Sequence, residues 1–225
     1  MIPGYLPVRA ARAGIRLAAK AALASLLILT YCDGSILAQN EKGAPGPATL
    51  AVQEMVAAAK QYADEKAPGL PDSEKAKRKE TREKISGILD LHEMARLILA
   101  GNWKKQKPVD SEKYAGLLTA LVEKIGYPQI EKFFNGNLEI TYTGEKPLGN
   151  DKTSVFTSIL AKDEDVTFST EFRLYLTDKG WRIYDVITDG ESLLLIYRNQ
   201  HAGIIKEKGF PQLIKLMEKK LNESK

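Results

Sequence analysis

Val166-Thr167-Phe168-Ser169-Thr170-Glu171-Phe172-Arg173-Leu174-Tyr175-Leu176 alternates apolar and polar side chains almost without a break. Successive side chains of a strand point to opposite faces, so Val166, Phe168, Thr170, Phe172, Leu174 and Leu176 share one face. Thr167, Ser169, Glu171, Arg173 and Tyr175 occupy the other. A sheet with one apolar and one wet face has to be covered on the apolar side, and antiparallel sheets are built this way.

The neighbouring segments repeat the pattern. Thr153 to Ala161 and Trp181 to Thr188 are rich in β-formers, and Leu138, Ile140 and Tyr142 alternate with Glu139, Thr141 and Thr143. The breaks between them are Gly149-Asn150-Asp151, Asp163-Glu164-Asp165 and Asp178-Lys179-Gly180. Links this short join antiparallel neighbours, so a meander of about four strands is expected.

Outside the strands the period changes to that of a helix. Val52, Met55, Val56, Ala59, Tyr62 and Ala63 form one stripe beginning near Thr49 and ending before Pro68-Gly69-Leu70-Pro71. The charged run from Glu74 to Lys84 reads as the solvated side of a second helix restarting at Asp72 or Ser73. Asp90 with Glu93 resembles a capping box before Met94, Leu97 and Ile98, and Gly101 closes that helix. Tyr114, Leu117, Leu118, Leu121, Val122 and Ile125 make the clearest helical face, continued past Pro128 by Ile130, Phe133 and Phe134. After the strands, Asp189-Gly190 breaks the chain and Ser192 caps a helix from Leu193 to Lys208, closed by Gly209. Pro211 opens the last helix, with Leu213, Ile214, Leu216, Met217 and Leu221 on its apolar side. Helices, a strand meander and further helices predict an α+β fold, with helices over the apolar face of a curved sheet.

The first 38 residues differ in kind. Arg9, Arg12, Arg16 and Lys20 against Asp33 give them a charge of +3 out of the chain's +4. An apolar run from Ala21 to Cys32 and Ser35-Ile36-Leu37-Ala38 follow, the layout of a secretory signal. The run is too short to span a bilayer comfortably. Cleavage after Ala38 is expected; acylation on Cys32 is the rival, opposed by bulky Tyr31 in front of it. The predicted organisation is a signal peptide over 1–38, a Gly/Pro-rich linker over 39–48 and one domain over 49–222. Its helical front half covers 49–135, its sheet 137–188 and its C-terminal helices 192–222. With Cys32 removed no thiol remains, and the nearly neutral body lacks the basic field that nucleic-acid binding needs.

Candidate chemistry is sparse. His92-Glu93 begins like a zinc helix, but Arg96 stands where the second histidine would be, so no metal site is expected. No nucleophile elbow, phosphate-binding loop or dinucleotide fingerprint occurs, and no cofactor is expected. His201, with Asp185 and Asp189 nearby in sequence, could form an acid/base pair, although a single helical histidine is more often structural.

The run Trp181-Arg182-Ile183-Tyr184-Asp185-Val186-Ile187-Thr188-Asp189-Gly190-Glu191-Ser192-Leu193, continuing to Tyr197-Arg198-Asn199-Gln200, resembles the toluene-tolerance family, the MlaC-type periplasmic phospholipid carriers. Met94 to Trp103 and Gly209 to Leu221 are similar to the same family, so the resemblance spans roughly residues 50 to 221. Two features depart from it: the helix Tyr114 to Ile125 lacks the usual phenylalanines, and His201 stands where Phe or Trp is common. The resemblance implies an NTF-like sheet and a non-enzymatic carrier that shuttles phospholipid between outer and inner membranes. Its implied partners are an outer-membrane lipoprotein complex and an inner-membrane ABC transporter, with only transient membrane contact. It also implies a lipid pocket, for whose walls the candidates are Leu99, Trp103, Leu138, Ile140, Tyr142, Phe168, Phe172, Leu174, Trp181 and Ile183. Each could equally be ordinary core. A hopanoid-binding relative, an NTF-like isomerase or dehydratase using His201 and Asp185, and a purely structural scaffold are the competing readings.

Overall fold

Four hairpin-linked strands and a two-residue fifth form one antiparallel sheet in the order β1-β2-β3-β4-β5. They are β1 Leu138–Gly149, β2 Lys152–Ala161, β3 Val166–Thr177, β4 Gly180–Thr188 and β5 Glu191–Ser192. The computed structural model describes residues 44–61, 71–127, 129 and 137–224. The signal peptide, most of the linker, Tyr62, Ala63, Pro68 to Leu70, Pro128, Ile130 and Phe133 to Gly136 lie outside these residues.

The α+β expectation holds, with five strands rather than about four. The fifth arises because Asp189 and Gly190 both take positive φ, 48° and 85°, and turn the chain tightly back so that Thr188 pairs with Glu191. The first strand runs to Gly149, where the expected Gly149-Asn150-Asp151 break begins. Gly144, at φ 147°, carries a register shift that breaks the alternation, and Pro147 is tolerated because β1 is an edge strand.

Helix α1 spans Pro47–Gln61 and α2 Asp72–Ile88. The first begins two residues before Thr49, inside the expected linker, because proline costs nothing at a helix start where its missing N–H would be unsatisfied anyway. Glu145 of β1 accepts a hydrogen bond from Thr49 N at 2.7 Å, placing a carboxylate at the positive end of the α1 dipole. Its buried side packs Ala48, Val52, Met55, Val56 and Ala59 against Val155, Phe172, Leu174 and Ile183 of the sheet, with Ile85 and Ile88 of α2 completing the cluster.

A second helical layer is made of α3 Leu91–Leu99 and α4 Pro108–Leu121, which precede the strands, and α5 Leu193–Lys208 and α6 Phe210–Glu223, which follow them. Leu89 bridges to Ile183, and Asp90 N donates to the Ile183 carbonyl at 2.8 Å, so the entry to α3 is stitched to the sheet edge. Asp90 caps α3 through Glu93 N at 2.9 Å, and Ser192 caps α5 through Leu195 N at 3.1 Å. Helix α3 packs on α4 and α5, and α6 on both of those.

Candidate functional site

The apolar face of the sheet and α1 make two walls of one layer. In the sheet, Phe172 stands opposite Val155 on one side and Val186 on the other, Leu174 opposite Thr153 and Ile183, and Leu176 opposite Trp181. Towards the far end Ile159 lies between Ile140 and Phe168. Val52, Val155, Leu174 and Ile183 are completely buried, whereas Ile140, Tyr142, Trp181 and Val186 are half-buried at the rim. Burial pushes the Tyr142 phenol above its usual pKa, as expected where an aromatic ring loses water without gaining a charge partner.

Phe172, Leu174 and Ile183 thus sit in this layer with Ile140, Tyr142 and Trp181 packed against them. Leu138 and Phe168 continue the same apolar face and are half-buried. Leu99 and Trp103 lie elsewhere. Leu99 is buried at the end of α3, and Trp103 meets His92 edge-on at 5.6 Å between ring centroids. The wall contributed by α1, Val52, Met55 and Val56, was not among the sequence candidates, although its stripe was visible in the spacing.

The opposite face is less wet than its polar residues suggest. Glu171 accepts hydrogen bonds from Ser154 Oγ at 2.6 Å and Arg173 Nε at 2.9 Å. Asp185 accepts from Ser192 Oγ at 2.7 Å and Leu194 N at 3.0 Å. Tyr175 donates to Asp90, which also lies 3.5 Å from Arg182 Nε. Desolvation, and then the bond to Asp90, push the Tyr175 phenol far up. Farther along this face is a pocket of about 330 Å³, lined by Phe156, Ser158, Ser169, Glu171 and Ile187 among others, at the small end of ligand-pocket sizes.

The proposed acid/base pair does not assemble. The Asp185 oxygens hold the start of α5, while His201 Nδ1 is 2.7 Å from the Tyr114 hydroxyl in the second helical layer. His201 is also edge-on to Tyr114 and near the ring of Tyr197. Arg198, from the C-terminal motif, donates through Nε and Nη2 to the Leu97 carbonyl, satisfying an end of α3. Among the described residues, no group of three or more His, Cys, Asp or Glu side chains could hold a metal, and no helix is long and apolar enough to cross a membrane.

A family model described as MlaC protein matches residues 52–219. Among solved structures, a phospholipid-binding protein from Ralstonia solanacearum, determined in complex with a phospholipid, shares the fold with a TM-score of 0.60. The two are 19% identical, and the match covers 80% of this chain and 98% of that one. No match is found among curated proteins.

Proposed function

The chain belongs to the MlaC family, and from that premise we propose that it is a phospholipid carrier whose acyl chains lie between α1 and the apolar face of the sheet. The observation that carries this reading is the continuous layer from Val52 to Leu174, made of apolar and aromatic side chains with a half-buried rim at Ile140, Tyr142 and Trp181. Lipid tails need only such walls. Burying one methylene contributes about 0.8 kcal/mol, so a chain of about 16 carbons offers roughly 12 kcal/mol before any cost of opening the site.

The layer is filled here by its own side chains, with Val52, Val155, Leu174 and Ile183 out of contact with solvent. A tail therefore enters only if α1 separates from the sheet, exchanging side-chain contacts for acyl contacts. This exchange accounts for retention and release by one movement, since a docking partner that favours the separated state would lower the affinity. The head group stays at the rim, which explains how a carrier functions without a phosphate-binding loop. Leu99 and Trp103 fit these walls less well than Val52, Met55 and Val56, because they pack within the second helical layer. The separate structural bonds of His201 and Asp185 favour binding over catalysis.

In this reading the chain is exported by the segment 1–38 and works in the periplasm. There it exchanges phospholipid between an outer-membrane lipoprotein complex and an inner-membrane ABC transporter. The test is mass spectrometry of organic extracts from protein isolated from its host without detergent. Phospholipid at about one molecule per folded chain is expected. A folded protein reproducibly free of lipid, or one carrying a hopanoid instead, contradicts the assignment.

A further inference from the structure

The connection between α3 and α4 carries Lys104, Lys105 and Lys107, with Trp103 before them and Val109 after. It is held by its own bonds. Gln106 N donates to the Trp103 carbonyl at 3.3 Å, Ser111 Oγ donates to the same carbonyl at 3.2 Å, and Gln106 Nε2 donates to the Asn102 carbonyl at 3.2 Å. Pro108 then opens α4. The three ammonium groups are therefore presented from a fixed turn rather than from a loose tether.

All three lysines are exposed, and none has an acidic partner among the described residues. Some other surface lysines are neutralised, since Lys84 meets Glu80 at 2.9 Å, Lys113 meets Glu218 at 2.8 Å, and Lys162 meets Glu139 at 3.0 Å, so what distinguishes this turn is three close-spaced cations beside an exposed apolar side chain. The nearest acids in sequence form no ion pair with these lysines among the described residues. Asp110 sits in the first turn of α4, and Glu112 lies 3.1 Å from His92 Nε2. Beside the cations Val109 is 70% exposed, more than the other large apolar side chains described.

We propose that this turn is a contact point for an anionic bilayer surface. A stable protein interface buries roughly 1,200 to 2,000 Å² around large anchoring side chains, and one projecting valine ringed by lysines offers no such anchor. A lipid surface needs no matching shape. Each cation within a Debye length adds attraction independently, and lysine stems let the ammonium groups stay at phosphate level while Val109 dips below them. The contact is weak and reversible, as a protein that must leave the membrane requires. It does not depend on what fills the apolar layer.

The test is co-flotation of the host-processed protein with phosphatidylglycerol-containing vesicles, against phosphatidylcholine vesicles, at about 20 mM and about 300 mM salt. Binding is expected only to the anionic vesicles and only at low salt. K104E/K105E/K107E should weaken it at least about a hundredfold and V109D severalfold. K75E/K79E/K84E on α2 changes the net charge equally and should leave most of the binding. Wild-type protein that ignores anionic vesicles, a triple variant at 104, 105 and 107 that binds like wild type, or an α2 variant that loses as much, overturns the proposal. Extraction of the 104/105/107 variant should still yield bound phospholipid, so that failure at the membrane and failure of the carrier reading are read separately.

Discussion

Asp185 is 2% exposed, and its two oxygens are engaged by the Ser192 hydroxyl and the Leu194 amide. Arg173 Nη1 stands 4.0 Å away as a partial counter-charge. Removing the carboxylate strands a buried amide and hydroxyl, so Asp185→Ala should cost about 2 to 3 kcal/mol in urea unfolding. Ser192→Ala, which removes the cap and one of the two bonds to Asp185 but leaves the Leu194 amide paired, should cost about 1 to 2 kcal/mol. His201 makes a second prediction, about pH. Burial lowers its pKa from 6.5 to about 4, so the folded protein holds the ring neutral while the unfolded chain takes up a proton more readily. Its contribution to stability is complete above about pH 6.5 and disappears as pH falls toward 4. Between pH 7 and pH 4 the wild type should lose up to about 3 kcal/mol more unfolding free energy than His201→Phe. Equal losses in denaturant titrations of the two proteins would refute this account of the ring.

At the scale of elements, the two faces of the sheet should answer differently to the same substitution. Phe172 is nearly buried between Val155 and Val186, so Phe172→Ala should cost about 3 to 5 kcal/mol in chemical denaturation. Phe156 points the other way, half-buried beside the small pocket, and Phe156→Ala should cost nearer 1 kcal/mol. The face of Phe172 was legible in the alternation of Val166 to Leu176, because a period of two assigns every side chain of that strand to a face; that of Phe156 follows from its pairing with Glu171. The caps at Asp90 and Ser192 were legible for a similar reason, since a cap is a local bond. What the sequence did not reveal is non-local. The covering of Glu171, Arg173 and Tyr175 on the supposedly wet face depends on Ser154 and Asp90, 17 and 85 residues away. Spacing also showed the stripe of Val52, Met55 and Val56 without showing which surface it meets. For that reason the α1 residues were missing from the candidates, and Leu99 and Trp103, offered as the helical side of the walls, lie outside this apolar layer.

For the whole molecule, the central claim is that one apolar layer, bounded by α1 and the sheet, serves as core when empty and as lipid site when opened. The most direct measurement is photocrosslinking in the living host. A benzophenone amino acid is placed at Tyr142 or at Trp181 on the rim of that layer, or at Phe156 on the opposite face. Irradiation should add the mass of a whole phospholipid at the first two positions and nothing at the third. Adducts at Phe156 with none at Tyr142 and Trp181 would put the lipid on the wrong side of the sheet and contradict the account.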